Sequence, residues 1–230
     1  MTLEICYQDD YLIAVNKPCN MLVHRSYMAR NMDNEATLLD LLEAQLTQKL
    51  YPLHRLDRKT SGVLLLAKKR HEVAVFQSLF VQNKIQKTYH AIVRGHAPES
   101  GVIDSPVKGR DANAYKEACT FYKKIKETTL PIPIHPYQNA RYSLLELKPT
   151  TGRLHQLRIH LNKISHPIVG DPKYGDRFHN RMFASDFKTP QLFLHALSLE
   201  FIHPVTKNRI SIKSSFPSHY TNLLNLFKWS

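Results

Sequence analysis

The sequence predicts an α+β fold with a mainly antiparallel mixed sheet and flanking helices. Segments in which apolar and polar residues alternate, as half-buried strands require, recur along the chain, whereas helical spacing is confined to a few stretches. The two patterns do not alternate regularly, which argues against a parallel α/β sheet. Hydrophobic residues make up 43% of the 230 residues, which is enough for a buried core. We therefore expect one α+β domain over residues 1–230.

The first half of the chain predicts a hairpin, two helices and two further strands. Residues 3–17 form the hairpin, which ends before Pro18 because proline has no N–H to donate to a ladder. Thr37 is the expected N-cap of a helix in which leucines recur at helical spacing. Loops are expected at 24–36 and 51–61. The remaining elements are a buried strand at 62–67, a helix at 71–84 and a strand at 87–95. In the helix, Val75 and Leu79 lie on one side with Phe76 and Phe80 beside them.

The second half predicts more strands than helices. Residues 96–114 contain glycines and aspartates and are expected to form a loop, and residues 130–136 form a proline-rich connection. Strands are predicted at 118–125, 141–148, 192–201 and 209–213, a helix with Leu154, Leu157, Leu161 and Ile164 on one side, and a terminal helix at 219–229.

The charge of the chain indicates a polyanionic partner. Thirty-two Lys and Arg residues face nineteen Asp and Glu residues, which gives a formal net charge of +13. Such an excess raises the local concentration of polyanions, so nucleic acid is the favoured partner over a merely soluble basic protein. The longest apolar run is too short to cross a bilayer, and the acidic N-terminal residues do not resemble an export signal. Three cysteines without CxxC spacing predict no disulfide framework, so we expect a cytoplasmic protein.

The segment His54–Gly62, HRLDRKTSG, is the strongest candidate for chemistry. Asp57 lies between Arg55 and Arg58 in a predicted loop that leads directly into a buried strand. Loops on a rigid scaffold often contain catalytic groups, and a nearby guanidinium favours an ionised carboxylate. An ionised carboxylate suits a nucleophile or a general base. From these residues alone, an ordinary ion pair in a loop is an equally good interpretation.

A second segment, TTGRLHQLRIH at 150–160, contains four basic or imidazole side chains. His155 and His160 are five residues apart, which is not the spacing of a zinc-binding helical pair. The sequence has no HExxH motif and no carboxylate cluster with metal-ligand spacing, so we expect no metal site. It also has no glycine-rich phosphate loop and no dinucleotide fingerprint, and we expect no cofactor.

These motifs together resemble the RluA-type pseudouridine synthase family. HRLDRKTSG is similar to the family's signature loop, and five more segments match in the right order: YLIAVNKPCNMLVH (11–24), KTYHAIVRG (87–95), TGRLHQLRIHL (151–161), HPIVGDPKYG (166–175) and LFLHALSLEF (192–201). The resemblance implies one catalytic domain with a central RNA-binding cleft. Because the matching motifs begin almost at Met1, we expect no N-terminal S4-like RNA-binding module of the kind that is frequent in the family, and we expect the catalytic domain itself to bind the RNA.

The resemblance also implies roles for individual residues. Asp57 is the catalytic carboxylate, which either attacks C1′ of the ribose or removes the C2′ proton. The other implied roles concern substrate binding. Arg55 fills the space that the flipped base leaves, Tyr89 packs on the uracil and assists loss of the C5 proton, and Leu194 lines the pocket. Arg158 pairs with Asp57, and Arg153 is the second candidate for that pairing. Core packing is the alternative for Tyr89 and, with equal weight, for Leu194.

The function that the resemblance implies is isomerisation of a uridine in structured RNA. Within the family the chain is most similar to a member that modifies tRNA, so tRNA is preferred and ribosomal RNA is the second possibility. A non-catalytic RNA-binding or folding protein is the alternative from a different class. A hydrolase of the glycosidase type is disfavoured because Asp57 has no acidic partner in its motif. The protein is expected to act as a monomer. Expected phosphate contacts are Arg25, Arg30, Lys59, Lys108, Arg110, Lys123, Lys124, Lys173 and Arg177.

Overall fold

The computed structural model describes residues 1–25, 35–108 and 114–229. The described residues form the following strands and helices: β1 (Ile5–Gln8), β2 (Leu12–Lys17), α1 (Leu38–Leu46), β3 (Tyr51–Pro52), β4 (Ser61–Ala67), α2 (Val73–Val81), β5 (Gln86–Arg94), β6 (Ser100–Asp104), β7 (Val107–Lys108), β8 (Tyr115–Lys116), β9 (Cys119–Leu130), β10 (Ala140–Pro149), α3 (Gln156–Lys163), α4 (Arg177–Ser185), β11 (Leu194–Ile202), β12 (Arg209–Lys213) and α5 (Ser218–Leu226). The predicted α+β class is confirmed. The predicted loop at 24–36 lies mostly outside the described residues.

The chain divides into two compact units. Unit 1 contains Met1–Gln86 and Ala196–Ser215, and unit 2 contains Lys87–His195 and Phe216–Ser230. Strand β11 begins in unit 2 and enters unit 1 at Ala196. Each unit is therefore assembled from two separate stretches of the sequence. None of the helices in the described ranges has the length and apolar character that crossing a bilayer requires.

Unit 1 is built on a sheet with the strand order β1-β2-β4-β11, in which β12 also pairs with β11 and β3 with β4. The predicted hairpin is confirmed, since β1 and β2 pair antiparallel with Gln8 opposite Ile13. All seven residues of β4 are buried. A strand with neighbours on both sides and both faces covered must be apolar throughout, which explains the run Val63–Ala67. The predicted strand at 62–67 is therefore the central strand of unit 1.

Helix α1 begins where the sequence predicted. The hydroxyl oxygen of Thr37 accepts a hydrogen bond from the backbone N–H of Asp40, and the Asp40 carboxylate accepts one from the backbone N–H of Thr37. This reciprocal capping box satisfies two N–H groups that a helix start leaves without partners. Leu38 and Leu42 are buried on the inner side. The helix is thus fixed at its start by polar bonds and along its length by apolar burial.

The apolar side of helix α2 was assigned partly wrongly from the sequence. Phe76 and Leu79 are buried, but Val75 is 47% exposed. The predicted pair Val75 and Leu79 does lie on one side of a helix, because the residues are four apart. The buried side is centred on Phe76 instead, since the larger ring buries more apolar surface than a valine does.

Unit 2 contains a sheet with the strand order β5-β10-β9-β6 and a separate two-stranded ribbon of β7 and β8. The pairs β5–β10, β10–β9 and β9–β6 are antiparallel. Strands β6 and β7 lie within residues 96–114, where the sequence predicted only loop. Both strands are short, with one buried residue each, Ile103 and Val107, so the sequence shows no alternation to predict them. Backbone pairing forms them, of β6 with the longer β9 and of β7 with the equally short β8. Strand β9 is longer than predicted for the same reason, since it pairs with β10 along its whole length.

The helices of unit 2 pack on an aromatic core. Helix α3 begins at Gln156, so Leu154 precedes it and is 39% exposed, contrary to its predicted place on the apolar side. The sequence did not predict α4, and α5 matches the predicted terminal helix. The large buried rings of the core belong to Tyr142, Phe183, Phe193, Tyr220 and Phe227.

We predict that Gly62→Ala destabilises the protein by at least about 2 kcal/mol. Gly62 has a φ of +111°, and a Cβ on it would meet the backbone of Ala196, 2.7 Å from both the nitrogen and the carbonyl carbon. The matched control is Gly152→Ala, whose Cβ would have only the Lys87 Nζ within reach, at 4.0 Å. Urea unfolding measures both variants, and equal stabilities would contradict the predicted clash.

Candidate active site

The loop that contains Asp57 connects β3 to β4 and is held at both ends by buried residues. Asp57 is half-buried and Arg55 is exposed, while Leu56 between them is only 7% exposed. The backbone N–H of Thr60 donates to the carbonyl oxygen of Asp57 at 3.1 Å, which closes a tight turn. Thr60 is buried and leads into the central strand β4. The carboxylate of Asp57 is therefore presented by a turn that starts and ends in the core.

His54 fastens the first part of this loop to the sheet. Its Nε2 accepts a hydrogen bond from the backbone N–H of Leu65 at 3.0 Å, and its ring stacks on Phe80 with centroids 4.7 Å apart. The backbone N–H of Leu53 donates to the carbonyl oxygen of Leu65 at 3.0 Å. The histidine of HRLDRKTSG is thus a structural residue that ties the loop to β4.

Lys17 fastens the second part, and the sequence did not single it out. Its side chain is fully buried, and its Nζ donates to three carbonyl oxygens, those of Pro18, Met21 and Arg58, at 2.8, 2.8 and 3.0 Å. Burial lowers the pKa of Lys17 to about 8, while the charge of Asp57 acts in the opposite direction. Lys17 therefore contributes a positive charge close enough to interact with Asp57, and it holds the backbone next to Asp57.

Arg58, which follows Asp57 in the sequence, is held by two polar contacts. Arg58 forms an ion pair with Glu35, Nη2 to Oε2 at 2.8 Å, and its Nε donates to the carbonyl oxygen of Asn20 at 3.1 Å. The thiol of Cys19 donates to the carbonyl oxygen of Lys59 at 2.9 Å. Arg58 and Cys19 therefore add further links between the Asp57 loop and the segment after β2.

In unit 2, Arg158 is the most firmly held of the predicted site residues. It lies on α3 with a side chain only 7% exposed, and its Nε and Nη2 donate to the two carboxylate oxygens of Asp171 at 2.6 and 2.8 Å. The guanidinium carbon is 5.2 Å from the centroid of the Tyr174 ring. A bidentate ion pair of this kind fixes both the position and the plane of a guanidinium group. The predicted pairing of Arg158 with Asp57 stays a prediction.

Asp171 is itself saturated with hydrogen bonds. Besides the Arg158 fork, its Oδ1 accepts from the backbone N–H groups of Lys173 and Tyr174 at 2.9 and 3.1 Å. Burial raises the pKa of the Asp171 carboxyl, but the hydrogen bonds and charge of Arg158 and the two N–H groups outweigh burial, so the pKa is lowered overall. Asp171 therefore stays ionised beside Arg158 at neutral pH.

Three other residues of the TTGRLHQLRIH segment, Gln156, His155 and His160, are held by contacts within unit 2. Gln156 is buried, accepts from the hydroxyl of Thr151 at 2.7 Å and donates to the carbonyl oxygen of Cys119 at 3.0 Å. His155 has a φ of +55°, and its Nδ1 lies 3.1 Å from the Tyr174 hydroxyl. His160 is fully buried between Thr120 and Ser105, and burial lowers its pKa. In this segment, His160 and Gln156 are structural.

The remaining predicted residues also lie in unit 2. Tyr89 is half-buried in β5, opposite Leu147 of β10, and packs against the core. Leu194 is 3% exposed and belongs to the same core, which is one of the two roles left open for it. Arg153 is exposed, and its Nε donates to the carbonyl oxygen of Glu117 at 3.0 Å. The contacts of these three residues with a substrate stay predictions.

Two of the residues expected to bind phosphate, Arg30 and Arg110, lie outside the described residues. Lys124 lies between two carboxylates, with its Nζ 2.8 Å from Glu99 and 2.7 Å from Glu127. Since both neighbours already compensate its charge, Lys124 is a poor choice for a phosphate contact. Within residues 1–25, 35–108 and 114–229, no group of three or more His, Cys, Asp or Glu side chains is placed to hold a metal ion.

Comparison with protein families and curated proteins gives consistent matches. Residues 11–163 match the family model described as RNA pseudouridylate synthase. The chain is 44% identical over 240 residues to tRNA pseudouridine synthase C of Pasteurella multocida, covering 100% of this chain and 98% of that protein. It is 40% identical over 237 residues to the protein of the same name from Vibrio parahaemolyticus, covering 99% and 96%.

Two human proteins of known structure have a similar fold. Human RNA pseudouridylate synthase domain containing 4 is 26% identical, with a TM-score of 0.72 over 98% of this chain and 93% of that one. Human RNA pseudouridylate synthase domain containing 1 is 23% identical, with a TM-score of 0.73 over 94% and 84%. The second of these is similar in fold alone.

We predict that Lys17→Met loosens the Asp57 loop. Three carbonyl oxygens would lose a charged donor, and each of these hydrogen bonds contributes about 1.5 to 3 kcal/mol. The variant no longer has to bury an ammonium charge, and this offsets part of the loss. Amide hydrogen exchange should therefore quicken at residues 54–60, including the Thr60 N–H. The matched control is Lys68→Met, because the half-buried Lys68 donates to a single carbonyl oxygen, that of Asp9, within the described part of the chain. Unchanged exchange at residues 54–60 would show that Lys17 does not hold the loop.

We predict that Asp171→Asn lowers the free energy of unfolding by about 3 kcal/mol at pH 7, because it leaves the buried Arg158 without its counter-charge. Because the pKa of Asp171 is lower in the folded than in the unfolded protein, the stability that its carboxylate contributes is fully present above the unfolded-state pKa. That stability is lost as the pH falls through the folded-state pKa. The difference from wild type should therefore shrink below about pH 4. Urea unfolding across pH measures it, with the exposed Asp104→Asn as control. A difference that stays constant down to pH 3 would contradict this assignment.

Proposed function

This chain belongs to the RNA pseudouridylate synthase family, and we propose that it isomerises a uridine of tRNA with Asp57 as its catalytic carboxylate. The family membership makes the protein an RNA-modifying isomerase. The tRNA substrate and the role of Asp57 are the proposed parts. The single observation that supports the tRNA substrate best is the identity of 44% along the whole chain to tRNA pseudouridine synthase C of Pasteurella multocida.

The reaction moves the uracil without gain or loss of atoms. The N-glycosidic bond between N1 and C1′ breaks, and a bond between C5 and C1′ forms. C5 loses its proton and N1 gains one, so the product is an isomer of the substrate. The chemistry needs one group that acts at the ribose and one that helps to move the C5 proton.

Asp57 suits the first of these tasks. Its loop is tied to β4 through His54 and Thr60 and to the segment after β2 through Lys17, so the carboxylate is held in place before any substrate binds. Prior positioning of a reacting group lowers the entropic part of the barrier. Lys17 also places a positive charge near Asp57. The two candidate routes are attack on C1′ and removal of the C2′ proton.

The remaining roles are extended to this chain by matched motif. A uridine in structured RNA must leave its stack to react, at a cost of a few kcal/mol. We propose that Arg55, which is exposed, fills the vacated space and that Tyr89 packs on the uracil and assists loss of the C5 proton. Arg158 is proposed to pair with Asp57, and its fixed guanidinium supports that role. The two further substrate-binding residues proposed are Leu194, beneath the base, and Arg153, the second candidate for pairing with Asp57.

We predict that Asp57→Asn abolishes pseudouridine formation while tRNA affinity stays within a few-fold of wild type. The amide keeps the shape of the side chain but can act neither as nucleophile nor as base. The measurement is tritium release from unmodified tRNA labelled at C5 of uridine, together with filter binding of the same RNA. Ribosomal RNA labelled in the same way tests the second substrate.

The control is Asp10→Asn, which makes the same chemical change at an exposed carboxylate in the turn between β1 and β2. It should release tritium at the wild-type rate. Release at a normal rate from the Asp57 variant would overturn the catalytic assignment. Release from ribosomal RNA but not from tRNA would leave the catalytic assignment intact and overturn the proposed substrate.

A further inference from the structure

Unit 2 contains a cavity of about 230 Å³ that none of the proposed catalytic residues lines. It lies where β5 ends and β10 begins. The residues that matter for its chemistry are Arg94, His96, Tyr137, Arg141, His166 and His179. We call it the Arg94–Arg141 pocket. Its polar lining is mostly cationic or imidazole, which is the chemistry of an anion site.

Arg94 forms a fixed inner wall of this pocket. Its Nη1 is 2.6 Å from Oδ2 of Asp176, and its Nη2 donates to the carbonyl oxygen of Ser165 at 3.3 Å. Asp176 also caps α4, since its Oδ1 accepts from the backbone N–H groups of Phe178 and His179. Asp176 therefore compensates the charge of Arg94, and any net attraction for an anion must come from other residues of the wall.

Arg141 supplies that attraction. Its side chain is exposed, and among the described residues no carboxylate forms an ion pair with it. The backbone holds it next to Arg94, because the Gly95 N–H donates to the carbonyl oxygen of Arg141 at 2.7 Å. His96 and His166 also line the pocket, and one ring nitrogen of each lies beside a backbone carbonyl oxygen, His96 Nε2 at 3.2 Å from that of Thr128 and His166 Nδ1 at 2.9 Å from that of Arg94. An uncompensated guanidinium beside two imidazoles suits a phosphate.

A second feature at the same pocket suits a nucleobase. Tyr137 is 59% exposed, and the guanidinium carbon of Arg141 is 5.6 Å from its ring centroid. An exposed ring beside an arginine provides a stacking surface for a base and a donor for the neighbouring phosphate. Phosphate and base together are the parts of one nucleotide.

We propose that the Arg94–Arg141 pocket binds a nucleotide of the RNA other than the reacting uridine, with Arg141 on the phosphate and Tyr137 stacked on the base. This proposal rests on the proposed function in one respect, namely that the substrate is RNA. The formal net charge of +13 agrees with a polyanion as the ligand. The pocket then contributes affinity and register, and the chemistry takes place elsewhere on the chain.

The test is a salt titration of the binding of unmodified tRNA transcripts to wild type and variants. Arg141→Gln should weaken binding about tenfold and lower the slope of log affinity against log salt by about one unit. Arg70→Gln is the matched control, because it removes the same positive charge at an exposed arginine of unit 1. Binding needs no turnover, so the result does not depend on whether the Asp57 assignment holds.

A second pair of variants separates stacking from a structural role. Tyr137→Ala should weaken tRNA binding about tenfold with an unchanged salt slope, and Tyr137→Phe should bind like wild type because it keeps the ring. Thermal unfolding checks that all variants fold. If Arg141→Gln and Arg70→Gln bind tRNA equally well, the proposal is wrong.

The same variants distinguish RNA from a free nucleotide, which offers the same phosphate and base. Uridine 5′-monophosphate is the probe, and its binding is measured by calorimetry. The proposal expects it to bind much more weakly than tRNA. Loss of its binding in Arg141→Gln, without any change in tRNA affinity, would mean that the pocket serves a free nucleotide and would overturn the proposal.

Discussion

A buried ammonium group needs acceptors for its three N–H bonds, and this requirement shapes the region around Asp57. Lys17 meets it with the carbonyl oxygens of Pro18, Met21 and Arg58, which come from two segments far apart in the sequence. The same contacts that satisfy the lysine therefore define the path of the backbone beside Asp57. Removing water from this ammonium is costly, so the contacts have little freedom to rearrange.

A buried cation in unit 2 also has its hydrogen-bond acceptors, but they are of a different kind. There the buried cation is Arg158, and a carboxylate, Asp171, compensates it instead of backbone carbonyl groups. The plane of the guanidinium is fixed by the fork and by the ring of Tyr174. Lys17 and Arg158 thus each have protein acceptors for their buried charge. A binding surface organised in this way has a small entropic cost of ordering when a ligand arrives.

Local patterns in the sequence predicted the elements that local physics decides. The cap at Thr37 and the apolar run of β4 were predicted because neighbouring residues alone determine them. Lys17 and Asp171 were not singled out, since their importance depends on partners 41 and 13 residues away, Arg58 and Arg158. Helix α4 was missed because its sequence is mostly polar and its burial comes from a few residues that face the core. Tertiary structure decides which side of a helix is buried and which distant carbonyl oxygen contacts a buried ammonium group.

The division of each unit into two stretches of sequence has a consequence for synthesis on the ribosome. Strand β4 pairs with β2 and, at Leu66 and Ala67, with the short β3, but its remaining neighbour, β11, is translated more than a hundred residues later. At bacterial or eukaryotic elongation rates this delay is on the order of ten seconds. During that time the most apolar strand of the chain has an open edge, which is a site for aggregation. The sheet of unit 1 therefore reaches its full strand order only after residue 202 has been translated.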